Sequence, residues 1–176
     1  MDIITLYQGQ LNEGRGLFLL IEAILLLENN VKLVIIGDGP IKVSLSEFVQ
    51  KVGKSNQVKF IETIALKELP DYTKGADIGI NLLEDINLSK KFASPNKLFE
   101  YIHSNIPVLA SNTIENRLVF EKYSIGILCE NSPSSIADSI RKFGKSDLEK
   151  FKENCSSAIK EYSWEKQEDI LKSIIK

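Results

Sequence analysis

Short β-branched runs alternate with amphipathic helical patterns along the whole chain, and this alternation most restricts the fold. Residues 3–8 read as a strand that ends at Gly9. Leu17, Leu20, Ile21, Ile24 and Leu25 then recur at helical spacing. Residues 32–36 form a continuous apolar strand, the pattern of a strand covered on both faces. The rhythm continues with a helix at 41–52, a strand at 58–61, a short helix at 66–74 and a strand at 77–82. Ser94-Pro95 opens the next helix, with serine as cap and proline at the first helical position. Asn105 falls where a left-handed cap would end it, and strand 107–110, helix 115–123 and strand 125–129 follow. Ser132-Pro133 repeats the cap signature, and 148–159 and 163–175 read as closing helices. Trp164, capped by Ser163, is expected to anchor the last of these against the body. The sum is an α/β fold: a doubly wound, Rossmann-like parallel sheet in one domain spanning 1–176, without repeats or linkers.

Composition narrows the function classes. A chain of 176 residues that is 43% hydrophobic and 26% charged can bury a core and is not disordered. Its net charge of −2 lacks the basic surplus that nucleic acid or an anionic membrane surface would require. Cys129 and Cys155 are too few for a disulfide framework, and they lack the spacing of metal ligands. His103 is the only histidine, which argues against a histidine-based metal site or a Ser-His-Asp triad. The longest apolar run, 17–27, is interrupted by Glu22 and is too short to span a bilayer. With no basic leader at the N-terminus, a soluble, reduced, cytoplasmic protein is expected.

In doubly wound folds, ligands bind beyond the carboxyl ends of the strands. The first such loop, from Gly9 to Gly16, has P-loop spacing with Arg15 in the lysine's place. Gly16 offers no hydroxyl for Mg²⁺, so a P-loop NTPase is excluded. What remains is a turn presenting a guanidinium and helix-terminal amides to an anion, or more simply a turn with a solvated arginine. Gly37 and Gly39 in Gly37-Asp38-Gly39-Pro40 either let a ligand approach or merely form a tight turn. The third loop leads into Ser94-Pro95-Asn96-Lys97-Leu98-Phe99-Glu100-Tyr101. Lys97 in a first helical turn opposes the helix dipole, which a bound anion would explain. Glu100 suits paired hydroxyls such as those of a ribose. The simpler alternative is a solvated helix face carrying Lys97 and Glu100, with Leu98 and Ile102 on the core. His103 reads as incidental.

Taken in order, these stretches resemble the C-terminal, donor-binding domain of a GT-B glycosyltransferase of the retaining "group 1" family (family 4). The likeness runs through Tyr7-Gln8-Gly9, Gly14-Arg15-Gly16-Leu17, residues 33–40, Val58-Lys59-Phe60, residues 76–80, residues 94–101, residues 106–111 and Ser163-Trp164. It implies a nucleotide-diphosphate sugar, linked to UDP, GDP or ADP, as donor. Arg15 would contact the diphosphate and Glu100 the ribose, with the base near Thr63 and Ile64. Together with Gly9, Gly16, Gly37, Gly39, Ser94, Pro95, Asn96 and Lys97, these residues make up the candidate site. All three side chains Arg15, Lys97 and Glu100 are expected to be at least partly solvated. Gln10 stands where the family often has a second basic residue. Phe92 stands where it often has a glutamate, eight positions before Glu100. The anion-ready loops, with no carboxylate arrangement suited to Mg²⁺, predict no obligatory metal or other cofactor. The resemblance makes the chain one half of a two-domain enzyme whose N-terminal acceptor half is elsewhere, so that alone it transfers no sugar. The full enzyme would serve cell-surface polysaccharide or glycolipid synthesis at the inner face of the membrane, without inserting into it. Half of a nucleotide-sugar epimerase and a non-catalytic nucleotide-binding module are the competing readings. A receiver-like module is disfavoured, because Gln8-Gly9-Gln10 replaces the acidic cluster it needs after its first strand.

Overall fold

A computed structural model describes residues 2–84 and 96–175, so the expectations for Phe92, Ser94 and Pro95 fall outside the described residues. The strands are β1 (Ile3–Gln8), β2 (Val31–Ile36), β3 (Val58–Ile61), β4 (Ile78–Asn81), β5 (Val108–Ser111) and β6 (Gly126–Cys129). The described helices are α1 (Leu17–Leu25), α2 (Lys42–Lys51), α3 (Leu69–Thr73), α4 (Asn96–His103), α5 (Ile114–Tyr123), α6 (Pro133–Arg141), α7 (Lys145–Ile159) and α8 (Trp164–Ile175). All six strands pair in parallel, in the order β3-β2-β1-β4-β5-β6. The winding reverses between β1 and β4, and that seam is where such sheets open a crevice.

Strand pleating sorts the core into two layers. Tyr7, Leu33, Ile35, Ile78, Ile80 and Leu109 join one buried cluster with residues of α1, α2 and α6. Leu6, Ile36, Val108 and Ala110 belong to the other, under α4, α5 and α7. Because successive side chains point to opposite faces, strands covered on both sides must be largely apolar, as β2 and β5 are apart from Lys32 and Ser111. Helix ends follow local chemistry. The Ser132 hydroxyl accepts from the Ser135 amide, and Thr113 does the same for Asn116. Asn105, at φ 56°, supplies the expected left-handed turn after α4. Helix α3 begins three residues later than the pattern indicated, with Pro70 in its first turn.

One expectation fails. Ser163 does cap α8, accepting from the Lys166 amide, but Trp164 is 72% exposed and anchors nothing. Tyr162 holds this end of the chain instead. Its ring packs on Phe99 and Tyr123, with centroids 5.1 and 5.8 Å away, and its carbonyl accepts from His103 Nε2 at 3.0 Å. A side chain before the cap can turn back onto the body, whereas the first helical residue here projects outward. His103 is thereby accounted for structurally.

Gly79 in β4 is fixed by contact. A Cβ there would lie 2.5 Å from the ring of fully buried Tyr101. Gly79→Ala is expected to cost about 1–3 kcal/mol through overpacking, whereas Trp164→Ala should stay within about 0.5 kcal/mol of the parent. Urea midpoints at unchanged m-value check both.

Candidate functional site

Helix α4 is pinned to the sheet's seam by Tyr101. Its hydroxyl accepts from the Gln8 amide at 3.2 Å, and its proton lies between the carbonyls of Leu6 (3.0 Å) and Ile80 (3.3 Å). Burial holds this phenol well above its ordinary pKa, so it remains a neutral donor. With Tyr101 fixed, Lys97 and Glu100 on the same helix are carried to the carboxyl ends of β1 and β4.

Lys97 is not solvated as expected. It is 8% exposed, and its Nζ has no hydrogen-bond partner among the described residues. Nζ lies 3.7 Å over the centre of the Tyr7 ring, a cation–π stack. Tyr7 is itself fully buried, and its hydroxyl donates to the Gln10 carbonyl at 2.7 Å. The reason for the departure is reach: a four-carbon stem can lie along apolar surface, and here it ends on an aromatic face rather than in water. Burial, helped by the nearby Arg15 guanidinium and opposed by Glu100, pulls the lysine's pKa down to about 7. Arg15 is half-buried and close enough to Lys97 to act on its charge, so the first loop reaches the start of α4.

Glu100 is exposed but not loose. Its Oε2 accepts from Gln8 Nε2 at 2.6 Å, and Gln8 Oε1 accepts from the Thr73 hydroxyl at 2.8 Å. Gln8 is almost wholly buried, so this relay fixes the carboxylate from beneath. Glu100 lies on the rim of a cavity of about 380 Å³, whose lining includes Gly9, Gly37, Thr63 and Ile64. The structure thus brings Gly9, Gly37, Thr63, Ile64 and Glu100 together, with Lys97 within electrostatic reach of Glu100 and Arg15. Asn96 is exposed and lines an adjoining cavity of about 580 Å³ between α3 and α4, which also touches Glu100.

Two glycines serve the chain's own packing. A Cβ on Gly37 would lie 2.0 Å from the Gly9 carbonyl oxygen, and one on Gly39 would lie 2.4 Å from that of Leu11. Gly9 differs: at φ 120° its Cβ position faces open space. Gly16 caps α1 in the left-handed conformation, but its amide is already taken by Glu84 Oε1 at 3.0 Å. Glu84 in turn donates its own amide to the Gly14 carbonyl at 3.1 Å. The first loop is therefore clasped by an internal carboxylate rather than presenting that amide to a ligand. Tyr7, Gln8, Thr73 and Glu84 were missed in the sequence, although Gln8 and Glu84 each stand at or just past a strand's carboxyl end, where such residues belong. Among the described residues no group of His, Cys, Asp and Glu is gathered to hold a metal ion. No described helix is long and apolar enough to cross a membrane.

The buried amine sets a pH signature. Lys97 titrates at about 7 when folded and near 10.5 when unfolded. Between these values the unfolded chain keeps a proton that the folded chain has released, so rising pH favours folding. Stability is expected to climb from about pH 7 to about pH 9, and Lys97→Met should abolish this rise. Above pH 9.0 the buried thiols of Cys129 and Cys155, both pushed up to about 12, act in the opposite direction. Urea midpoints of both proteins across the lower window check the sign.

Comparison with known proteins fits this fold. No curated protein matches the chain. Among solved structures, HepE of Anabaena in complex with UDP and glucose superposes with a TM-score of 0.81 at 16% identity, covering 98% of this chain and 48% of that one. The C-terminal domain of LpcC, a glycosyl transferase group 1 family protein from Francisella tularensis, gives 0.73 at 21% identity, covering 92% and 85%. WaaG, a glycosyltransferase involved in lipopolysaccharide biosynthesis, gives 0.71 at 18% identity, covering 88% and 41%. The chain thus spans about half the length of HepE. The model of the family "Glycosyl transferases group 1" matches residues 1–162. With the match running through all six strands, the chain belongs to the group 1 glycosyl transferases.

Proposed function

We propose that the chain is the donor-binding half of a retaining glycosyltransferase and holds a nucleoside-diphosphate sugar at the β1–β4 seam. The observation that carries this reading is the pair of basic side chains, Arg15 and Lys97, within electrostatic reach of each other and of Glu100, a braced carboxylate that also lines a cavity. Two basic groups, both charged once the ligand is in place, suit a diphosphate and supply its counter-charge without an obligatory metal. Glu100 suits vicinal ribose hydroxyls, and it is held away from the phosphates by Gln8. The base lies against Thr63 and Ile64. HepE, with UDP and glucose or UDP-glucose bound, lends support through its shared fold.

Sugar transfer needs donor and acceptor positioned in one water-poor cleft, so the acceptor side and part of the catalytic apparatus come from an N-terminal GT-B half. We place the pathway in cell-surface polysaccharide or glycolipid assembly on the cytoplasmic side of the membrane, in line with WaaG's role. The free cysteines, buried and protonated, suit a reducing compartment.

Titration calorimetry with UDP, GDP, ADP and the matching nucleosides tests the assignment. Arg15→Ala should weaken diphosphate binding by about 1.5–3 kcal/mol and barely touch the nucleoside. Glu100→Ala should weaken both, since both carry the ribose. Equal losses for Arg15→Ala, or no loss for Glu100→Ala, would refute these roles, and no binding of any nucleoside diphosphate would refute the function.

A further inference from the structure

The Lys97 amine is placed unusually for a phosphate ligand. It can donate three hydrogen bonds, yet it has none among the described residues and is almost wholly buried. Among the described residues, the groups facing it are the Tyr7 ring from β1, the Arg15 guanidinium from the loop before α1, and Glu100 from its own helix. Tyr7 is neutral, because burial raises its pKa to about 12. Arg15 repels an ammonium. Glu100 attracts one, but it is exposed and already accepts from Gln8. An ammonium in this setting lacks both water and an acceptor, so the empty site favours the neutral amine near physiological pH.

Resting on the function proposed above, we propose that Lys97 takes up a proton as the nucleoside-diphosphate sugar binds, so that ligand and proton enter the site together. The diphosphate oxygens provide what the empty site lacks: acceptors for the N–H groups and negative charge to offset Arg15. No bond other than N–H is made or broken. The proton comes from solvent and leaves with the ligand. The Tyr7 ring serves both states, since its face supports an ammonium and tolerates an amine. The linkage has a definite sign. Affinity is full below the empty-site pKa of about 7 and falls as pH rises toward the ligand-bound value. The fall is at most about tenfold per pH unit. Lys97 thereby makes donor capture sensitive to pH near neutrality.

The test is calorimetry at about pH 8, where linkage to the amine is strong, in buffers that differ in ionisation enthalpy. UDP-, GDP- and ADP-glucose are the probes, because a diphosphate esterified at both ends has no proton of its own to exchange near this pH. The full chain should take up nearly one proton per ligand. K97R, whose guanidinium is permanently charged, should bind with no uptake and with a pH-independent affinity between about pH 7 and 9. K97M should show no uptake and weaker binding. Binding without buffer-dependent heat, or equal uptake by K97R, would overturn the proton linkage and leave the donor-site assignment standing. No heat with any of the three probes would overturn that assignment and this inference with it.

Discussion

The hydroxyl of Tyr101 closes the seam on which everything else is hung. A doubly wound sheet has its one unavoidable gap where the winding reverses, and here a single phenol bridges it. It touches main-chain atoms of both β1 and β4 while its ring fills the space that Gly79 leaves free. The hydrogen bonds are individually modest, but three of them converge on main-chain groups of two buried strands. Helix α4 consequently has one depth and one rotation. Lys97, one turn before Tyr101, and Glu100, its immediate neighbour, inherit their positions from that restraint.

The two side chains are then handled in opposite ways. Glu100 is left in water and steadied from beneath through Gln8 and Thr73. Lys97 is drawn out of water and given an aromatic face but no acceptor. Exposure lets the carboxylate meet hydroxyls without a great desolvation cost. Burial makes the amine responsive to whatever charge arrives. One helical turn therefore carries a rigid, constant group and an adaptable one.

The features legible in the sequence were those set by local chemistry. Ser132 and Thr113 cap helices because a hydroxyl before a helix reaches the free amides. Asn105 bends left-handed because its short side chain tolerates that conformation. The parallel sheet follows from continuous apolar strands separated by helical periodicity. In the site, the nearness of Arg15 to Lys97 accords with both standing past strand carboxyl ends. What could not be read was set by tertiary reach. Periodicity cannot say whether a lysine stem runs outward or along a tyrosine, nor that Glu84 would find the Gly16 amide across the fold. Trp164 was misjudged on the same ground, since hydrophobicity alone does not fix which neighbour a helix start faces.

The glycines of the second loop carry a consequence for engineering. Gly37 and Gly39 press against the main chain at Gly9 and Leu11, with less room than a methyl group needs. Main-chain hydrogen bonds from Gly9 to Ile36 and from Leu11 to Asp38 tie the same two loops. The segments after β1 and β2 are thus interlocked like adjoining teeth and can only shift as one body. A chimera that imports one of them from a relative would set two unmatched surfaces against each other. The exchangeable unit is the pair, so the segments should be transplanted as a two-loop cassette.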